Sequence, residues 1–390
     1  MKRIYVVGTA DTKGHELRFI ADLVRALGAD PLLVDVGARA PVVAVDVGAA
    51  EVSGGIAHGD DRGTAVKAMA DAFTRWVATR DDISGIVGIG GGGGTSIVTA
   101  GMRALPIGIP KLMVSTLASS DVAPYVGISD IVMMPAITDV AGLNRISRTV
   151  FSNAAHAIVA MAGAPPVAEG DKPALGLTMF GVTTPAVTAI IDMLAADYEP
   201  LVFHATGTGG QTMEALVDSG LIAGVLDITT TEVCDLLFGG VLPALPTRFD
   251  CIARTKIPYV VSFGACDMIN FWAPDTVPKQ HAGRKFYHHN ANVTLMRTTA
   301  EECRAIGEFI GSKLNACDGP VRVLIPEKGV SALDIAGGAF WDEEADKALF
   351  DAVKTTVKWT AGRKLVMVPA HINDKAFADA AVAAFREIMG

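Results

Sequence analysis

The chain has 390 residues, 50% hydrophobic and 19% charged, with 41 glycines and 19 prolines; it is too long for one ordinary core, so two domains are expected, and the composition argues against disorder. A formal net charge of −9 gives no electrostatic reason to expect nucleic-acid binding. The 5 cysteines form no C-x-x-C pair, which argues against a disulfide framework or structural zinc, and no run of about 18 apolar residues predicts a membrane span.

Met1–Gly8 enters a strand at once, with too short an apolar run for a signal peptide, and a cytoplasmic protein is expected. Ile4–Val7 is the first strand and His15–Leu27 the first helix. Between them lies Gly8-Thr9-Ala10-Asp11-Thr12-Lys13-Gly14. A helix N-terminus there offers unpaired N–H groups and partial positive charge to a phosphate, with Lys13 as a point charge and Thr9 or Thr12 as hydroxyls. This is not a Walker A loop, because Lys13 precedes Gly14. Asp35 closes the next strand, Pro31–Val36, where doubly wound folds often place a ribose-binding carboxylate. Capping by Asp11 or Thr12 and solvation of Asp35 are the plainer alternatives.

A helix over 64–79 and a strand over 85–89 lead to the strongest local signal, Gly88-Ile89-Gly90-Gly91-Gly92-Gly93-Gly94-Thr95, with a helix expected from Thr95. Ordering each glycine costs roughly 0.5–1 kcal/mol relative to alanine. Five in a row are more than a tight turn needs, so a close approach to the backbone, as by a phosphate, is expected. The run also satisfies G-x-G-x-x-G, but a glycine run matches many patterns and does not specify NAD. Strands follow at 110–115 and 130–134, and Ser115 opens a hydroxyl cluster that suits a phosphate, a ribose or a plain capping turn.

The proline-bearing segment 164–173 is the expected boundary, giving a nucleotide-binding domain at 1–168 and a substrate domain at 172–390. The strand–turn–helix pattern then restarts. Strands are expected at 175–180, 200–204, 223–228, 259–263, 321–325 and 365–368, and Thr184 and Pro185 read as N-cap and N1 of a helix. His204-Ala205-Thr206-Gly207-Thr208-Gly209-Gly210 places a histidine before a hydroxyl- and glycine-rich anion nest. Strand-end groups Glu232, Asp267, Glu327, Lys328 and His371 would leave the same sheet edge as His204. His204, Asp267 and Glu327 are the catalytic candidates, Glu232 or Asp267 a metal ligand or base, and paired surface charges the alternative. Residues 270–297 read as an irregular excursion, and the His288-His289 pair fits no metal spacing. Arg297 is a candidate anion contact before a capping box at 299–302. Strands alternating with helices predict an α/β chain of two Rossmann-like, doubly wound domains with mainly parallel sheets.

Five stretches carry a family resemblance: 8–14, 88–95, 181–185, 204–207 and 293–299. Through them the chain resembles uncharacterised bacterial proteins related to the N-terminal ATP-binding module of a tomato protein that blocks tobamovirus replication. Gly92 and Gly93 depart from it where serine is expected among the glycines. The resemblance implies ATP in the first domain, a homo-oligomer, and a separately encoded barrel-domain partner, since plant members carry a barrel after this module. Residues and resemblance together predict an ATP-dependent enzyme acting on a small anionic metabolite in the cleft between domains. ATP would lie on Gly8, Thr9, Asp11, Thr12, Lys13, Asp35, Gly90–Thr95 and Ser115, with Mg²⁺ on its phosphates. A nucleotide-responsive regulator, or a sugar-acid isomerase or lyase holding a substrate phosphate, are the alternatives.

Overall fold

A computed structural model describes residues 2–55, 61–165, 170 and 172–390. The chain divides into two compact units, Met1–Ala168 and Glu169–Gly390. The expected boundary at 164–173 lies partly outside the described residues.

The N-terminal unit runs β1 (Arg3–Gly8), α1 (Ala10–Ala26), β2 (Pro31–Asp35), α2 (Ala49–Ser53), α3 (Arg62–Ala78), β3 (Ile83–Gly90), α4 (Gly92–Arg103), β4 (Lys111–Ser115), α5 (Ala123–Val126), β5 (Ile131–Pro135) and α6 (Arg145–Ala162). Its strands are all parallel, in the order β2-β1-β3-β4-β5. The apolar run Ile4-Tyr5-Val6-Val7 explains the layering. Tyr5 and Val7 pack with α3 and α4, while Ile4 and Val6 pack with α1 and α6, so the sheet is covered on both faces. The order reverses between β1 and β3, which opens a crevice at their carboxyl ends. Helix α4 begins at Gly92 rather than Thr95, so three glycines of the run form its first turn.

The C-terminal unit runs β6 (Ala174–Met179), α7 (Thr184–Leu194), β7 (Glu199–His204), α8 (Thr208–Asp218), β8 (Gly224–Thr229), α9 (Glu232–Phe238), α10 (Asp250–Thr255), β9 (Tyr259–Gly264), β10 (Met268–Phe271), β11 (Phe286–Asn290), β12 (Val293–Arg297), α11 (Ala300–Leu314), β13 (Val321–Pro326), α12 (Glu343–Thr356), β14 (Arg363–Val368) and α13 (Lys375–Met389). Its parallel sheet has the order β14-β13-β9-β8-β6-β7, the same winding with one strand added. Helices α7 and α13 cover one face, and α8, α11 and α12 the other. Thr183, not Thr184, is the N-cap of α7, because a 3₁₀ turn at Gly181–Thr183 delivers the chain to the helix one residue early. The capping box of α11 forms as expected, Glu302 N–H donating to Thr299 and Thr299 N–H to Glu302. Residues 270–297 are not wholly irregular: they contain most of an antiparallel sheet, β10-β12-β11.

One buried cluster ties this unit together. Arg248, 1% exposed, holds Asp227 through Nη2 at 2.8 Å, Glu232 through Nε at 2.6 Å and Glu214 through Nη1 at 3.1 Å. Tyr259 and Thr178 each donate a hydroxyl to Asp227, at 2.6 and 2.7 Å. Burial works against the Arg248 charge, but the three carboxyl groups more than offset it and hold the guanidinium ionised. The cluster joins β8, β9, α8 and α9 to the start of α10. Arg248→Met should therefore leave buried carboxylates unpaired and cost about 3–5 kcal/mol in chemical denaturation. Arg254→Met, which breaks the exposed pair with Asp218, should cost less than about 1 kcal/mol.

Candidate functional site

A cavity of about 1280 Å³ opens in the N-terminal unit at the carboxyl ends of β1, β2 and β3. Thr9, Asp11, Thr12, Lys13, Asp35 and Gly91–Gly94 line it, so most of the expected nucleotide-binding residues meet at one place. Arg39 and the apolar side chains Val66 and Met69 join them, residues that no local motif marks as binding groups. The apolar stripe of α3 and the cation after β2 were the available signals.

Four expected residues stand behind the wall. Thr95 and Ser115 are buried and share a hydrogen bond of 2.7 Å. Gly8 and Gly90 serve packing: a Cβ on Gly90 would lie 2.9 Å from the backbone of Gly94 and Thr95, and one on Gly8 would lie 3.0 Å from the Ile89 carbonyl oxygen. Gly91–Gly94 differ. Among the described residues a Cβ on any of them would meet no atom closer than 3.4 Å, and none of the four has positive φ. The N-cap of α4 is Gly91 and supplies no side-chain acceptor, so the first N–H groups of that helix keep their capacity for an anion.

Asp35 organises the opposite wall. It is 1% exposed, and its Oδ1 accepts the N–H groups of Ala10 and Gly37, each at 2.8 Å. The loop returns at Val42, whose N–H donates to the Ala10 carbonyl at 3.0 Å, so 37–42 is fastened at its start to Asp35 and at its end to Ala10. Burial raises the Asp35 pKa and the neighbouring Asp11 adds to the rise, against the two N–H donors. Asp11 Oδ1 is buried without a partner among the described residues. Lys13 leaves helical geometry at φ −124° and ψ 17°, and its ammonium group donates to the Val140 carbonyl. Among the described residues no group of 3 or more His, Cys, Asp or Glu side chains is placed to hold a metal. Asp35→Ala should orphan two N–H groups and cost about 2–4 kcal/mol in urea unfolding, whereas Asp35→Asn, which keeps the acceptor, should cost less than half as much.

In the C-terminal unit the glycine turn after β7 serves the protein itself. Glu232 accepts the Gly207 N–H at 2.6 Å, so an internal carboxylate fills the expected anion nest. A Cβ would clash at Gly207 with Pro243 O at 2.2 Å, at Gly209 with His204 O at 1.8 Å, and at Gly210 with Glu232 Oε1 at 2.2 Å. Glu232 is wholly buried against Arg248.

The catalytic candidates of this unit do not meet. His204 is exposed on the edge strand β7, stacked on Phe180 at 5.2 Å, with Nδ1 donating to the Met179 carbonyl at 3.1 Å. Glu327 is exposed beyond β13. Four strand spacings of about 4.8 Å separate β7 from β13, on the order of 19 Å. Lys328 beside it is exposed too, while His371 is buried and donates Nε2–H to the Ser331 carbonyl at 2.8 Å.

Asp267 is buried and accepts the Ser331 hydroxyl at 2.8 Å. It belongs to a second charge cluster. Arg297, expected to meet an anion, is 4% exposed and bound to Asp346 at 2.8 Å, with Asp334 at 3.7 Å. Burial, then the Asp334 charge, pushes Asp267 up to about 7 and Asp346 up to about 8, against the pull of Arg297. Carboxyl groups in the unfolded chain release their protons near pH 4. The folded state therefore holds more protons between about pH 4 and 8, and the stability this brings is lost as pH rises through that window. Unfolding free energy of this unit should fall from about pH 5 to about pH 8.5, and Asp346→Asn should flatten the slope in denaturation at several pH values.

Comparison with known proteins places the chain. Residues 2–166 match the N-terminal domain, and residues 172–389 the C-terminal domain, of "Uncharacterised protein family (UPF0261)". A UPF0261 protein of Rhizobium meliloti is 64% identical over 100% of this chain and 99% of its own. One from Clostridium tetani is 46% identical over 97% of this chain and 96% of its own. The ToMV resistance protein Tm-1(GCR237) of Solanum lycopersicum is 41% identical over 99% of this chain, which spans 56% of that longer protein. No helix among the described residues is long and apolar enough to cross a membrane. With both halves matched in order, the chain belongs to the UPF0261 family.

Proposed function

We propose that the N-terminal unit binds a nucleotide, with ATP as the ligand, and that the chain is an ATP-dependent enzyme acting on a small anionic metabolite. One observation carries the nucleotide reading: Gly91–Gly94 are glycine although no described residue would clash with a Cβ there. Glycine in a helix costs roughly 0.5–1 kcal/mol against alanine, so a ligand that comes close to the backbone is the reason to keep them. The uncapped start of α4 suits phosphate oxygens, and Thr9, Thr12, Lys13 and Arg39 add donors and positive charge. Val66 and Met69 offer an apolar wall for a base. Asp11, with a buried carboxylate oxygen that has no partner among the described residues, would face the Mg²⁺ that phosphates bring, a hard cation suited to such an oxygen.

The metabolite has room in the same cavity. Its volume of about 1280 Å³ exceeds the roughly 300–1,000 Å³ common for small-molecule sites. Phosphoryl transfer relies on positioning and charge neutralisation, which this wall of backbone donors and cations supplies.

Thermal-shift titration with ATP, ADP, NAD⁺ and NADPH, each with and without Mg²⁺, tests the reading. ATP at about 100 times its Kd should add roughly 2.7 kcal/mol of stability. Gly92→Val should keep the fold and lose that shift. Equal ATP affinity in folded Gly92→Val protein would remove the site assignment. ATP binding without turnover of any small acid would favour a nucleotide-responsive regulator, and stabilisation by sugar phosphates alone would favour an isomerase or lyase.

A further inference from the structure

Segment 272–292 of the C-terminal unit differs in charge from the rest of the chain. It carries Lys279, Arg284, Lys285 and three histidines against a single acid, Asp275, within a chain of net charge −9. Arg284 is bound to Glu302 at 2.6 Å, whereas Lys279 and Lys285 are exposed.

Within this segment β11 is an edge strand, since the sheet order is β10-β12-β11. The Arg297 N–H donates to the Lys285 carbonyl, and the register pairs Phe286 with Met296 and Tyr287 with Leu295. Bonded pairs alternate along an antiparallel ladder, so Phe286 and His288 turn their own N–H and C=O groups away from β12. The side chains of these same two residues line a cavity of about 220 Å³, together with Pro274, Val277, Ala282 and Thr294. Tyr287 points to the other face, edge-on to Phe340 at 6.3 Å. A strand edge whose open backbone groups and pocket belong to the same alternate residues has the geometry of strand addition. Main-chain bonds there give affinity, and a pocket gives selectivity. The usual protections of an edge are sparse: Phe286–Asn290 holds no proline and no lysine, and only Lys285 at its start and an irregularity between His288 and Asn290 guard it.

We propose that β11 docks an extended acidic segment of a partner protein. The segment pairs along Phe286–His288, places one apolar side chain in the cavity, and sets its carboxylates beside Lys279 and Lys285. Charge decides against a second copy as the occupant. Two-fold pairing of β11 with itself would lay Lys285 and the histidines against the same basic surface, and like charges across an interface are repelled.

The test uses the full chain and a fluorescein-labelled peptide, Asp-Leu-Glu-Phe-Asp-Val-Glu, beside its counterpart with every acid replaced by lysine. Fluorescence polarisation should show saturable binding of the acidic peptide, weakening with salt, and binding of the lysine peptide at least about tenfold poorer. His288→Pro, which removes an outward N–H, and the double variant Lys279→Glu with Lys285→Glu should each weaken the acidic peptide by about tenfold or more, with unchanged melting curves. The charge-reversal pair lies on the surface and serves even where the proline variant fails to fold. Amide exchange at Phe286 and His288 should slow when the acidic peptide is present. Equal binding of the two peptides, no saturation by either, or indifference to the charge reversal would overturn the proposal. So would a wild-type dimer in sedimentation that either variant converts to monomer, since a second copy would then hold the edge.

Discussion

Where a parallel strand hands over to a helix, the first N–H groups of the helix need an acceptor at the carboxyl edge of the sheet. Both units of this chain are built from that junction, and their differences follow from what supplies the acceptor. After β7 the protein supplies its own: Glu232 reaches the Gly207 amide, and the surrounding glycines are fitted against Pro243, His204 and Glu232. After β3 the glycines of α4 face a cavity, and the cap contributes no side chain. Two glycine-rich turns of similar composition thus have opposite characters, one closed by the fold and one open to solution.

The closed junction sets the internal design of the C-terminal unit. A buried carboxylate at Glu232 is tolerable only with a cation beside it, and Arg248 is that cation. Its remaining donors then hold Asp227 in β8 and Glu214 in α8, and Asp227 draws in Tyr259 from β9. Satisfying one turn has recruited strands and helices on both sides of it. The same unit repeats the arrangement with Arg297 and its aspartates. There one guanidinium serves too many carboxyl groups, and protonation near neutrality settles the balance.

The layered α/β architecture was legible because apolar β-branched runs and Gly/Thr turns recur with little interruption, and the N-terminal cavity was legible because its donors sit within a few residues of strand ends. What stayed hidden depended on distant partners. Nothing near Gly207 shows that Glu232 fills its nest, or that Arg248 neutralises Glu232. A clue did exist in Val225-Leu226-Asp227-Ile228, where a charged residue inside an apolar strand demands a buried partner. His204 and Glu327 leave the same sheet edge, but strand order, which separates them, is not written in either segment. The antiparallel sheet escaped because β11, Phe286-Tyr287-His288-His289-Asn290, is polar and short, and its pairing is set by β12.

Loop 37–42 is tied down at both ends, Gly37 to the Asp35 carboxylate that also holds the Ala10 amide, and Val42 to the Ala10 carbonyl. A ring that short has little configurational freedom left to surrender, so a molecule entering the cavity meets this wall already in its final shape. For any ligand of this cavity, the ordering on capture would then fall to the ligand and to the facing side.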